Sequence, residues 1–417
     1  MPLTKEQADI ITATVPVLEQ HGNTITKVFY GNMLREVPAL NNIFNTSNQR
    51  NGHQPQALAA TLYAYAANIN NLEVLGPAVE RICQKHASLY ITAEQYDIVG
   101  KYLLAAMGEV LGDALTPDIA EAWGAAYWQI ANLMIAREKE LLKQTEGWNN
   151  WRDFKIDRKE RESDEVTSFY LKPVDGKALP LFLPGQYISI MLDVPDLKYK
   201  QARQYSLSDK PSSEYYRISV KREKGLDMND PESVAHPGYI SNTLHDHREV
   251  GDVVQLSHPA GDFFLDVRKQ SEDNPVVLIS AGVGLTPLLS MLNTLVEEDG
   301  HRNISWIHAS RNSKVQPFTG HIADLVKSHP NITEELYHSN PSSNERQGVD
   351  YDIKGRMDLS KLESEEQDLK LGHKDAQYYI CGPEKFMTDV ELALRDRGVA
   401  SERINMEVFG TGGIPRS

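Results

Sequence analysis

The chain is short of cysteine, of long apolar runs and of positive charge. Two cysteines in 417 residues, Cys83 and Cys381, are too few for a disulfide framework and are what a reducing compartment permits. No apolar run approaches the roughly 20 residues of a membrane span, so an integral membrane protein is not expected. Lysine and arginine number 43 against 58 acids, a formal charge of −15. With no basic stripe to neutralise phosphates, nucleic acid is excluded as a partner. The first twenty residues already carry Glu6, Asp9 and Glu19, whereas targeting presequences avoid acids. A soluble, cytoplasmic protein is expected, with no signal in the sequence for assembly beyond a monomer.

What is present is enough apolar material, 41%, for two to four cores. From residue 5 to 144 apolar residues recur at three and four, as in helices. Breakers stand at Gly22-Asn23, Pro38, Asn51-Gly52, Gly76-Pro77, Gly112-Asp113 and Thr116-Pro117. Pro16 lies inside the first helical pattern and is expected to kink it. After Trp148 the period shortens to β-rich runs at Glu165 to Leu171, Gln186 to Leu192, Tyr215 to Val220 and Val253 to Ser257. From Asn274, buried-type strands (Val276 to Ser280, Ile304 to Ala309, Gln377 to Ile380) alternate with helical stretches, the pattern of an open parallel sheet. The expected architecture is multidomain: an all-α domain over 1–147, an antiparallel β-barrel domain over 148–270 and an α/β parallel-sheet domain over 271–417. Leu226 to Gly238 and Ser339 to Gly348, rich in turn residues, read as surface loops.

Three groups of residues point to chemistry. Val276 to Ser280 runs into Ala281-Gly282-Val283-Gly284-Leu285-Thr286-Pro287. Amides at such a turn and at the following helix start attract a pyrophosphate, and glycine lets it approach. The same pattern serves a tight turn after any buried strand, and Pro287 stands where the dinucleotide fingerprint has its third glycine. A second loop, Tyr379-Ile380-Cys381-Gly382-Pro383, ends another strand of the same sheet, where such sheets place ligands. The strand between ends in His308-Ala309-Ser310-Arg311. No acid is there to hold a ribose, and Arg311 suits a 2′-phosphate, so NADPH is expected to be tolerated beside NADH.

Arg203-Gln204-Tyr205-Ser206-Leu207-Ser208 closes a strand-like run with an arginine, an aromatic and two hydroxyls, a set that suits a flavin diphosphate and its ring. Singly, Tyr187 and Tyr205 also read as barrel-wall aromatics. Gly185-Gln186-Tyr187, the Arg203 motif, Gly238-Tyr239-Ile240-Ser241-Asn242, the Gly282 loop and Cys381-Gly382-Pro383 follow in one order, and over residues 150 to 417 that order resembles the ferredoxin-NADP reductase family. The resemblance implies FAD and a nicotinamide coenzyme. Arg203 would pair with the diphosphate, where its fork outdoes lysine. Tyr205 and Ser206 would lie on the ring, with Tyr187 and Gln204 beside them, and Ser241 would cradle the second phosphate. Cys381 would approach the nicotinamide. Met406-Glu407-Val408-Phe409-Gly410-Thr411 also matches the family, with Phe409 covering the flavin.

In the helical region Val79, Ile82, Cys83, His86 and Leu89 share one face, so His86 points inward. A histidine there serves equally as a satisfied core residue. On the last helix Tyr127, Ile130, Met134, Glu138 and Leu141 form a stripe, which puts a carboxylate at a core position or, alternatively, at its edge beside Arg137. The segment resembles a globin, and with the reductase module behind it the whole chain is similar to the flavohaemoglobins. That likeness implies haem b with His86 as iron ligand and Phe44 wedged against the porphyrin. Tyr30 and Gln54 become the distal polar pair, with Leu58 narrowing the site and Lys85 between haem and flavin. The neighbouring His53 is passed over in favour of Gln54. Tyr96 and Glu138 would hydrogen-bond His86 from behind.

The implied activity is nitric oxide dioxygenation: NAD(P)H electrons pass through FAD to haem, where O2 and NO give nitrate. Two other functions use part of the same set, an oxygen carrier or sensor, and a general flavin reductase of ferric iron or cytochromes. Two departures from the family stand out. The segment Lys224 to Pro237 is long, and Thr411 replaces a proline that often follows the Phe-Gly pair.

Overall fold

The computed structural model describes all residues except 1, 46–48, 50–51, 146, 195–196, 224–237, 270, 272, 299 and 410–417. Gly410, Thr411 and the long segment Lys224 to Pro237 therefore lie outside the described residues.

The N-terminal third is helical: α1 (Lys5–Ala13), α2 (Val15–Glu36), α3 (His53–Ala67), α4 (Gly76–Ser88), α5 (Ala93–Leu111) and α6 (Pro117–Lys143). Local sequence explains the ends. Thr4 and Gln7 form a capping box on α1, Thr92 and Gln95 another on α5, and Thr116 caps α6 with Pro117 next to it. The expected kink at Pro16 is instead a break. Thr14 both ends α1 and starts α2, and Pro16 falls in the first turn of α2, where a missing N–H costs nothing. Helices α2 and α3 pack together at Gly22, where a Cβ would only reach ordinary van der Waals contact, 3.5 Å from that of Ala59.

The second layer is a six-stranded antiparallel sheet. It comprises β1 (Arg152–Arg161), β2 (Val166–Pro173), β3 (Tyr187–Val194), β4 (Tyr199–Ser206), β5 (Tyr216–Lys221) and β6 (Val253–Leu256), in the order β4-β3-β6-β1-β2-β5. An antiparallel bridge between Leu207, just past β4, and Ile218 of β5 brings the two edges together, which closes a barrel. Helix α7 (Tyr239–His247) packs Ile240 and Leu244 into the barrel core. Strand β1 escapes sequence reading because charged residues fill its exposed positions: only Phe154 and Ile156 are buried.

The third layer is a parallel sheet of β7 (Val276–Ala281), β8 (Ile304–Ser310), β9 (Ile332–His338), β10 (Ile353–Lys354), β11 (Gln377–Cys381) and β12 (Ile404–Glu407), ordered β10-β9-β8-β7-β11-β12. Helices α8 (Leu285–Glu298), α9 (Thr319–Ser328) and α10 (Glu384–Asp396) flank it, and apolar clusters form on both faces. Strand order reverses at β7, so the loops after β7 and β11 open a crevice between them, where open α/β sheets bind ligands.

Candidate functional site

At that crevice, Gly282 adopts φ +56 in open space, a left-handed conformation that suits glycine. Gly284 is required for a different reason. A Cβ there would lie 2.3 Å from the Cys381 carbonyl oxygen and 2.7 Å from the Gly382 nitrogen, so the two predicted loops are packed backbone to backbone. Leu285, Thr286 and Pro287 are buried in the first turn of α8. The resulting cavity, about 680 Å³, is lined by Ala281 to Gly284, Gly382 to Glu384, Val408 and Phe409. His53, Gln56 and Ala57 of α3 complete its far wall. Cys381 is fully buried, and burial pushes its thiol well up. Arg311 does not stand free: it pairs with Glu165 of the barrel.

The Arg203 guanidinium bonds the Ala202 carbonyl at 2.7 Å and Asn45 Oδ1 at 2.7 Å. Burial pulls it down to about 10, and no carboxylate among the described residues pairs with it. A half-buried cation without a carboxylate partner fits an exogenous diphosphate. Tyr205 opposes Ile188 across the sheet and Tyr187 opposes Ser206, so Tyr187, Arg203, Gln204, Tyr205 and Ser206 share one corner of the barrel. Burial raises both phenols. Gln204 Nε2 donates to Ser189 Oγ at 3.0 Å. Ser241 lies on α7 with its hydroxyl donating to Gly238 O and accepting from Glu223 N. Phe409 is 47% exposed at the mouth of the cavity.

In the helical region, Glu138 is 4% exposed; of the two readings left open, the core position is the one adopted. His86 Nδ1 lies 2.8 Å from the Tyr96 hydroxyl and 2.9 Å from Glu138 Oε1, and Tyr96 donates to the same Oε1 at 2.6 Å. The phenol has one proton, which goes to Glu138, and a carboxylate only accepts. The remaining donor must therefore be Nδ1–H, which leaves the Nε2 lone pair uncommitted. Across the fold Tyr30 is buried, and burial raises its phenol while a hydrogen bond to Gln54 opposes the rise. Gln54 Oε1 is buried without a protein partner. Tyr30 stacks edge-on against Phe44 at 5.6 Å, and Phe44 and Leu58 are only partly buried at this core's margin. The helices carry two apolar clusters rather than one, the second around Cys83, Tyr96 and Met134. An uncommitted imidazole nitrogen and a buried amide oxygen without a partner, in a helical region with two separate apolar clusters, fit a metal-bearing apolar group.

Sequence reading passed over Glu407, on β12 beside Cys381 in the sheet register. Burial, then Asp262, push its carboxyl up to about 8, while Arg81 and Lys85 pull it down. Burial and Arg203 lower Lys85 in turn. An acid two residues before Phe409 in a short β pattern gave no periodic signal; the charges that act on it, Asp262, Arg81 and Lys85, belong to distant segments of the chain. Asn45, which contacts Arg203 across 158 residues, was equally illegible.

A globin family model matches residues 27–134, and a model of an oxidoreductase NAD-binding domain matches residues 278–392. The chain is 46% identical to a protein named flavohemoprotein from Bordetella parapertussis, over 99% of this chain and 100% of that one. Its fold is similar to a crystal structure of flavohemoglobin from Malassezia yamatoensis with bound FAD and heme: TM-score 0.83, 32% identity, 98% of this chain and 100% of that one. The FAD/NAD-binding domain of nitric oxide dioxygenase from Vibrio cholerae matches 62% of this chain and 98% of its own, with 36% identity and a TM-score of 0.53. No described helix is long and apolar enough to cross a membrane.

Proposed function

This chain belongs to the flavohaemoprotein family, and from that premise we propose that it is a nitric oxide dioxygenase driven by NAD(P)H. When bound, haem b would supply an iron at which O2 and NO combine to nitrate, and FAD would turn the coenzyme's hydride into single electrons. The observation that carries the reading is the closed triangle of His86, Tyr96 and Glu138, which leaves the imidazole Nε2 uncommitted.

His86 would hold the iron through Nε2, because Tyr96 and Glu138 keep the proton on Nδ1. A carboxylate behind the ring makes that nitrogen a stronger donor. Phe44 and Leu58 would bound the haem, and Lys85 would stand between it and the flavin. Tyr30 and Gln54 would offer a hydroxyl and an amide to a ligand of that iron. Arg203 would take the FAD diphosphate, Tyr187, Gln204, Tyr205 and Ser206 its ring, and Ser241 its second phosphate. Residues 282–287 would receive the coenzyme pyrophosphate, with Cys381 near the nicotinamide, and Val408 and Phe409 would cover one face of the flavin. Gly410 and Thr411 are assigned to cofactor binding from the family motif alone. We place the domain boundaries at 147/148 and 270/271; Trp148 packing into the barrel core supports the first. We take the protein to act as a cytoplasmic monomer, with both cysteines free and buried.

The test is aerobic NO consumption by protein replete in haem and FAD. Coenzyme-dependent nitrate formation is expected, and Tyr30→Phe should speed oxygen dissociation at least about tenfold, the worth of one lost polar contact. Persistent NO beside free reduction of ferric iron would leave a flavin reductase instead. A separate expectation concerns coenzyme choice. Arg311→Ala should raise KM for NADPH about tenfold and leave NADH unaffected, since one charge-assisted bond is lost; equal kinetics with both would remove Arg311 from that role.

A further inference from the structure

Helix α4, which carries Lys85 and His86, ends in an unusual way. Leu89 and Ile91 both donate backbone N–H to His86 O, and Tyr90 between them sits at φ +55. Glycine is the residue suited to this left-handed position after a helix, and a bulky side chain there is strained. Strain of this kind persists where something else is gained. Here the conformation directs the Tyr90 side chain out of the helical layer and into the barrel. Its hydroxyl accepts the His258 backbone N–H at 3.2 Å and lies 3.2 Å from His258 Nδ1. Its ring stands edge-on to Trp151 at 5.6 Å and tilted on His258 at 5.5 Å. His258 is 4% exposed, and burial pulls its imidazole down to about 4, so the ring is neutral and Nδ1 is free to accept the phenol proton.

The same helix end makes two more polar contacts with the barrel. Ser88 Oγ bonds Lys85 O at 2.8 Å and Ser189 Oγ at 3.0 Å, and Gly261 N donates to Gln84 Oε1 at 3.0 Å. Gly261 lies against the Tyr187 ring, where a Cβ would come within 3.1 Å. Ser189 N in turn donates to Ser257 Oγ at 2.8 Å, next to His258. All three contacts therefore converge on the wall that carries Tyr187.

We propose that Tyr90 is a positioning residue for electron transfer: its strained plug into the His258 pocket sets the haem-bearing helix against the flavin-bearing wall. The inference rests on the reading that electrons cross from flavin to haem, each crossing oxidising the flavin by one electron and reducing ferric iron to ferrous.

The experiment compares wild type, Tyr90→Gly and Tyr90→Phe as holoenzymes. NADH-driven haem reduction is followed under carbon monoxide, ferricyanide reduction reports the flavin alone, and hydrogen exchange is read over residues 256–261 with and without cofactors. Glycine removes the strain as well as the plug, so a purely structural helix end should be no less stable in that variant. The expected result for Tyr90→Gly is haem reduction slowed between about tenfold and a hundredfold, unchanged ferricyanide reduction and faster exchange at 256–261. Tyr90→Phe, which keeps the ring contacts, should fall between. Wild-type haem reduction in Tyr90→Gly, equal losses in both rates, or unaltered exchange would each overturn the assignment. If haem in the wild type were not reduced by NADH at all, the electron-transfer reading itself would fail first.

Discussion

Gly284→Ala is expected to abolish efficient reduction by NAD(P)H while leaving the helical region folded. The new Cβ would sit 2.3 Å from the carbonyl oxygen and 2.5 Å from the carbonyl carbon of Cys381, and 2.7 Å from the nitrogen of Gly382. These are backbone atoms in the register-locked end of β11, paired with β7 and β12, so no side chain can swing away. The loops after β7 and β11 must separate, at a cost of about 1–3 kcal/mol for overpacking. A displacement near 1 Å at the coenzyme crevice would slow hydride delivery roughly a hundredfold. Stopped-flow flavin reduction should show the loss, and chemical reduction of the haem by dithionite should not. The neighbouring Gly282→Ala separates space from conformation: nothing stands within 4 Å of its Cβ, but φ is +56, so strain alone of about 1–3 kcal/mol is expected there. Unimpaired flavin reduction in Gly284→Ala would show that the two loops can part without consequence.

Glu138 is the second position where a large effect is expected, and two substitutions divide it. Glu138→Ala removes the acceptor shared by His86 Nδ1–H and Tyr96 OH. Nδ1–H keeps the Tyr96 oxygen as acceptor, but the Tyr96 O–H is left unpaired, which costs about 1–3 kcal/mol and should appear as a lowered midpoint in thermal unfolding of the helical region. Glu138→Gln keeps an acceptor oxygen but deletes the charge. Its stability should be close to wild type, whereas the haem potential should rise by about 60–120 mV, equivalent to a ten- to hundredfold change in equilibrium. The sign follows from the charge: a carboxylate behind the proximal ring favours the ferric state, and its removal favours the ferrous. A potential unchanged in Glu138→Gln would remove the carboxylate from the electronics of the site and leave it a packing role only.

Much of this molecule is legible from local pattern. A three-to-four periodicity survives in every long helix because each buries one stripe, and that same stripe turned His86 and Glu138 inward. Glycine-rich loops after apolar strands marked both sides of the crevice, since strands buried on both faces read as continuous apolar runs. Pro16 shows the limit of such reading. The residue is equally consistent with a kink or with a first turn, and only the end of one helix and the start of the next at Thr14 chose the break. Strand β1, alternating weakly between charge and two buried side chains, carried too little contrast to be seen.

What the amino-acid order determined by itself was therefore the kind and succession of layers, and which residue types face each core, because periodicity is a property of neighbours along the chain. The tertiary structure alone decided which distant groups meet: His86 with Glu138 across 52 residues, Arg203 with Asn45 across 158, Tyr90 with His258 across 168. It also decided that Gly284 is needed for close packing and Gly282 for its backbone angle. Those outcomes depend on how whole elements dock, and docking is set by the summed shape and burial of surfaces that no short stretch of sequence contains.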